Sequence, residues 1–148
     1  MAANNLTSAN AWKLPYQPIT ATSDGAGTQS AYMYDGKIIV DVNDLASSKI
    51  ITLSTPISIE VIDVYSVVKE SGGVASKTIT LKNGTDAVST ALSITNTDGL
   101  LSRTTKIFDT KANFDAGDDD MKLVSSAHAA GDFYVVISYT KQFSVDGA

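Results

Sequence analysis

Short apolar runs alternate with turn residues about every ten positions from residue 31 onward, and no segment keeps the 3.6-residue period for three turns. That spacing restricts the chain to strands joined by tight turns, the pattern of an all-β sandwich or barrel. Lys37-Ile38-Ile39-Val40-Asp41-Val42 places Ile38, Val40 and Val42 on one face, and Lys49 to Leu53 is a β-branched run closed by Thr55-Pro56. In the longest apolar stretch, Ile57, Ile59 and Val61 share one parity while Ile62, Val64 and Val68 share the other. Such a switch predicts a β-bulge or a strand buried on both faces. Thr78 to Leu81 leads into Asn83-Gly84, a pair suited to a type I′ hairpin turn, with Val88, Leu92 and Ile94 on the return. Further turns at Asn96 to Gly99 and Asp115 to Asp118 precede a short strand at Met121 to Val124. The final strand sets Phe133, Val135, Ile137, Tyr139 and Phe143 on one side, with Ser138 and Thr140 on the other. Eight or nine strands are expected.

At 148 residues the chain fits one domain, and folding at that size removes roughly 68–70% of the exposable surface, enough for a core without staples. Apolar residues at 43% and charged residues at 18% are the balance of a folded protein, not a disordered one. With no cysteine, disulfides, thiolate nucleophiles and thiolate metal sites are excluded. A net charge of −5, with basic residues spread singly from Lys13 to Lys141, opposes nucleic-acid binding. There is no 18-residue apolar run for a membrane span and no basic-then-apolar leader, so the chain is expected to be complete, soluble and unexported.

Residues 1–30 read differently. They are rich in Ala, Asn, Ser, Thr and Gly and hold Pro15 and Pro18, with neither β nor helical period. The expectation is an extended N-terminal arm over 1–30, jointed at Gly25-Ala26-Gly27, ahead of a sandwich domain over 31–148. Trp12, Leu14, Pro15 and Tyr16 are the candidate interface residues, because exposed aromatics are costly in water and aromatic anchors dominate interface energies. Removing residues 1–30 is expected to leave the sandwich folded and to weaken assembly.

Catalytic and cofactor chemistry finds little support. The single histidine, His128, lies in the small-residue segment Ser125 to Gly131, with no Gly-x-Ser-x-Gly elbow, and reads as an exposed loop residue. Asp109, Asp115 and Asp118-Asp119-Asp120 are candidates for paired-carboxylate chemistry or for Ca²⁺. The run does not match an EF-hand, and a solvated turn is the simpler reading. Gly25-Ala26-Gly27 does not complete a dinucleotide fingerprint, since Ser30 stands at the third glycine position. Tyr32, Tyr34, Tyr65, Tyr134 and Tyr139 could stack on sugars or occupy half-buried sheet positions. No catalytic residue, cofactor or metal is assigned.

Residues 57–143 resemble a known family. Val61-Ile62-Asp63-Val64-Tyr65-Ser66-Val67-Val68-Lys69 is followed by a Gly-Gly turn, then by Thr78 to Ser89 with its Leu-x-Asn-Gly hairpin. Leu101-Ser102-Arg103, Ile107-Phe108-Asp109, the Ala116-Gly117-Asp118 turn and a closing Val-Val-Ile-Ser-Tyr strand come after. This succession resembles the head decoration, or auxiliary capsid, proteins of tailed bacteriophages. The resemblance implies a jelly-roll-like sandwich on the outer capsid surface, made in the host cytoplasm, partnered by the major capsid protein and commonly trimeric. A receptor- or carbohydrate-binding virion module, in a head fibre or tail, is the alternative. Residues 1–30 fall outside the resemblance.

Overall fold

The computed structural model describes residues 17–24, 28–43, 50–71, 77–94, 97–126 and 131–141. Twelve strands follow one another: β1 (Gln17–Ser23), β2 (Thr28–Tyr34), β3 (Lys37–Asn43), β4 (Ile50–Ser54), β5 (Ile59–Ser71), β6 (Thr78–Asn83), β7 (Asp86–Ala87), β8 (Leu92–Ser93), β9 (Leu101–Arg103), β10 (Asn113–Phe114), β11 (Met121–Ser125) and β12 (Gly131–Lys141). One sheet carries the order β9-β5-β12-β3-β2, with β10 beside the start of β5, and the other carries β4-β11-β6-β7, with β8 also on β6. The chain steps between sheets from β3 to β4, β5 and β6, and again from β9 to β11 and β12. That order is the jelly roll, and the protein is an all-β sandwich of this type.

Period-2 alternation decides which side chains meet between the sheets. Ile38, Val40 and Val42 of β3, Phe133, Val135 and Ile137 of β12, and Val64 of β5 face Ile51 and Leu53 of β4, Ile79 and Leu81 of β6, and Met121 and Leu123 of β11 in one buried cluster. The parity switch in β5 is a bulge. Tyr139 pairs with Val61 and Ser138 with Asp63, so Ile62 is left without a partner and its side chain is 52% exposed. The expectation that Ile62 shares a face with Val64 and Val68 therefore fails, because the extra residue resets the phase only after itself. A second shift at Lys69 does the same near the far end of β5.

The hairpin turn lies one position later than Asn83-Gly84 implied. Asn83 pairs with Asp86, leaving Gly84-Thr85 as the two-residue loop, and Gly84 takes φ 61° while Asn83 stays in the strand. Glycine first in the loop is the type II′ arrangement. Asn83 is instead used for its amide, which donates to the carbonyls of Lys111 and Asn113 at 3.0 Å each. With Ser66 Oγ donating to Ser93 O and the Phe108 amide to Val88 O, these bonds tie the two sheets along one side.

The other side is closed by β1. Gln17 to Ile19 pair with β2, and Thr20 to Ser23 pair with β4, so one strand belongs to both sheets. An arm reaching to residue 30 is thus corrected: Gln17–Ser23 and Thr28–Tyr34 are strands of the sandwich, and among the described residues the sheet begins at Gln17. Ile19 and Ala21 pack on the core from alternate positions of β1, a period that small and polar neighbours obscure in the sequence. Deleting residues 1–30 removes β1 and part of β2, and several backbone hydrogen bonds at about 1 kcal/mol each go with them. The 1–30 deletion is expected to lose the cooperative urea transition, whereas deletion of 1–16 keeps it.

Candidate interaction surfaces

The two outer faces of the sandwich differ in chemistry. Across the β4-β11-β6 sheet, Thr22, Thr52, Lys122 and Lys82 stand directly opposite one another in a single row. Two lysines facing each other repel and hold water, which suits a solvated surface. Across the other sheet, the row runs Tyr32, Ile39, Val136, Tyr65, Arg103 over five strands, roughly 19 Å at the usual strand spacing. The adjacent row is Ser30, Asp41, Tyr134, Val67, Leu101. Tyr34 and Leu101 are 49% and 56% exposed at opposite margins of this face. Val136, although on the solvent side of its strand, is only 7% exposed among these neighbours.

Four of the five tyrosines considered for sugar stacking gather here, and Tyr139 does not: it packs against the core, where burial raises its pKa. Ile39, Val67, Val136, Leu101 and Arg103 were not legible as surface residues. Their signal is an apolar residue at the off-phase position of a strand, as in Ile38-Ile39-Val40 and Val135-Val136-Ile137, but register alone brings them into line.

Cations sit over two of the rings. Lys69 Nζ lies 4.4 Å from the Tyr134 ring centre, and the Arg103 guanidinium lies 5.1 Å from that of Tyr65. The bulge at Lys69 turns its ammonium to Asp41, with which it forms an ion pair, and to Asn43 Oδ1 at 3.0 Å. Asn43 Nδ2 in turn donates to Asp41 at 3.1 Å. Arg103 Nε reaches Asp63 at 3.3 Å. Burial alone would lower the Lys69 pKa, but the hydrogen bond and charge of Asp41, with Tyr134 and Asp132 adding to them, hold it above the ordinary lysine value.

The acidic loop is spread along the surface. The Asp118 amide donates to Asp115 O across the turn at Gly117, Asp120 O accepts from the Gly84 amide, and the carboxylates are exposed. Among the described residues no three acidic or histidine side chains converge on a point that could hold a metal ion. His128 and the candidate interface residues Trp12, Leu14, Pro15 and Tyr16 lie outside the described residues. A groove of about 690 Å³ opens where β1 changes sheets, between Pro18, Ile19 and Thr20 on one wall and Thr55, Pro56 and Ala116 on the other.

No protein-family model matches the chain, and no curated protein matches it. Among solved structures, the CBM22-1 xylan-binding domain of Paenibacillus barcinonensis Xyn10C aligns at 13% identity over 80% of this chain and 82% of that one, with a TM-score of 0.37. The CBM22-1–GH10 modules of Clostridium thermocellum xylanase 10B, complexed with xylohexaose, align at 10% identity over 87% of this chain and 26% of that one, with a TM-score of 0.32. At these scores the likeness carries no argument about what this chain binds.

A lysine whose pKa is raised by folding stabilises the fold fully below the unfolded value of about 10.4, and that contribution is lost as pH rises through the folded value. Tyr139 acts in the same direction above about 10, because its neutral form is the buried one. Urea midpoints are therefore expected to fall as pH rises above about 10. Asp41→Asn should make that decline shallower, leaving the Tyr139 part; an unchanged slope would mean that Lys69 gains nothing from Asp41.

Proposed function

We propose that this chain is a virion structural protein, a decoration subunit that binds the outside of a tailed-phage head through protein contacts. The observation that carries this reading is the asymmetry of the two outer faces. One sheet presents Thr22, Thr52, Lys122 and Lys82 beside a row of Ile50, Val124 and Thr80, whereas the other gathers Tyr32, Tyr34, Tyr65, Tyr134 and Arg103 among Ile39, Val67, Val136 and Leu101, and tyrosine and arginine are the types enriched where binding energy concentrates at protein interfaces. The jelly-roll order and the resemblance of residues 57–143 to head decoration proteins support the same conclusion. In this reading the partner is the major capsid protein, the subunit is made in the host cytoplasm, and a homotrimer is the expected unit. Stabilisation then follows from mass action: a subunit bound across a joint between capsomers favours the assembled shell over its parts.

The same face bears on the carbohydrate-binding alternative. A sugar ring stacks on an open aromatic face, and Lys69 and Arg103 already cover Tyr134 and Tyr65. Tyrosine capped by a cation keeps its edge and hydroxyl for polar contacts while the guanidinium offers donors to a protein surface.

Co-sedimentation with undecorated shells, assembled from the capsid protein of the same phage, tests the reading. Leu101→Asp and Tyr65→Ala are each expected to weaken shell binding at least tenfold, about 1.4 kcal/mol, with Thr52→Asp on the opposite face neutral. Binding indifferent to all three substitutions removes this face from the proposal. A glycan-array signal lost on Tyr32→Ala or Tyr34→Ala would transfer the protein to the carbohydrate-binding class.

A further inference from the structure

Asn83-Gly84 is the only Asn-Gly pair in the chain. Asparagine is a thermolabile residue, and a following glycine makes it most reactive, because a residue without Cβ leaves its amide nitrogen free to approach the neighbouring side chain. In that reaction the Gly84 nitrogen loses its proton to base and bonds to Asn83 Cγ. The Cγ–Nδ2 bond breaks and ammonia leaves, taking a proton from solvent, so that a five-membered succinimide closes. Water then opens one of the two C–N bonds of the ring, giving aspartate or isoaspartate at position 83. One water is consumed and one ammonia released, with no oxidation or reduction.

The folded chain opposes each part of that step. The nucleophile is engaged, since the Gly84 amide donates to Asp120 O at 2.8 Å. The leaving group is engaged as well: Asn83 Nδ2 directs its two donors to Lys111 O and Asn113 O at 3.0 Å each. Backbone geometry adds to this. Asn83 lies in β6 in register with Asp86, and closing the ring takes its ψ out of the strand region and breaks that pairing. Asp120 Oδ1 lies 4.0 Å from where a Cβ on Gly84 would stand. A carboxylate at that range disfavours the amide anion from which the attack begins.

The products cannot rebuild what the asparagine held. Ionised aspartate only accepts hydrogen bonds, so at position 83 it turns its oxygens toward the Lys111 and Asn113 carbonyls, which are acceptors too. Isoaspartate adds a methylene to the main chain at the end of β6, and the two-residue Gly84-Thr85 loop no longer matches its strands. Either product parts the β6-β7 hairpin from the segment leading into β10, one of the ties between the sheets. We propose that Asn83-Gly84 is a deamidation site held silent by this closed seam, and that its reaction in opened molecules prevents the seam from re-forming. Opening is then irreversible in the molecules that have reacted. The site needs no binding partner and stands apart from the capsid reading.

Peptide mass mapping of the full-length chain tests this after incubation at mildly alkaline pH, in buffer and in urea above the unfolding midpoint. Conversion of Asn83 to the acid forms is expected in urea, and in buffer it should be slower roughly tenfold or more, by the rarity of seam opening. Asn83→Asp supplies one product directly. Its urea midpoint should lie below that of the parent chain and below that of Asn83→Ala, which loses the two hydrogen bonds without adding a carboxylate. Should Asn83→Asp not fold, the urea-treated chain answers instead. After refolding and anion exchange, the deamidated fraction should show a lowered midpoint or no transition, while the unreacted fraction recovers the parent's. Equal rates in buffer and urea overturn the proposal, because the seam then shields nothing. It is equally overturned by no conversion in urea, by a deamidated fraction with the parent midpoint, or by Asn83→Asp no less stable than Asn83→Ala.

Discussion

The change of hydrogen-bonding partner within β1 is the constraint on which the sandwich rests. A strand that gives its first half to one sheet and its second half to the other fixes the distance and angle between them at one side. The apolar residues of β3, β4, β11 and β12 then have a defined gap to fill. Across the molecule, the amide of Asn83 and the serines at 66 and 93 close the opposite side with side-chain and loop hydrogen bonds rather than with a ladder. One side is held by continuous backbone pairing, the other by a small set of polar contacts.

How the faces acquire their roles follows from the same sheets. The inward phase of every strand is committed to the core, so specificity has to be written in the outward phase. In the β3-β12-β5 sheet that phase is apolar or aromatic at many positions, and Lys69 and Arg103 reach it from a bulge and from the edge strand β9. These two cations neutralise Asp41 and Asp63 and cover tyrosine rings, which lets charged residues coexist with an apolar surface without being left unpaired.

Much of this was legible in the sequence because alternation is a local signal. Ile38-Val40-Val42 and Phe133-Val135-Ile137 declare their buried face within a few residues, and the phase change near Ile62 announces a bulge. Other features depend on distant pairing. Ile19 and Ala21 carry too little apolar volume among threonines to mark β1 as a strand, and only their packing on the core reveals it. Asn83-Gly84 was read by its turn propensity, whereas the carbonyls of Lys111 and Asn113 make better use of the asparagine amide in the strand. The alignment of Tyr32, Ile39, Val136 and Tyr65 needs the register of four strands, and a groove between segments from three parts of the chain has no linear signature.

β12 lies between β3 and β5, in the middle of its sheet, yet among the described residues it follows every other strand. During synthesis the two strands that flank it have no common partner until residues 131–141 have been made. The apolar inner faces of β3 and β5 must wait, exposed or loosely collapsed, while β4, β6 and β11 can already pair. The sheet is therefore completed by insertion of β12 into a gap between two earlier strands, a step of high contact order and correspondingly slow. Both outward rows of this sheet run through β12, at Val136 and at Tyr134, so neither is continuous until that strand is in place.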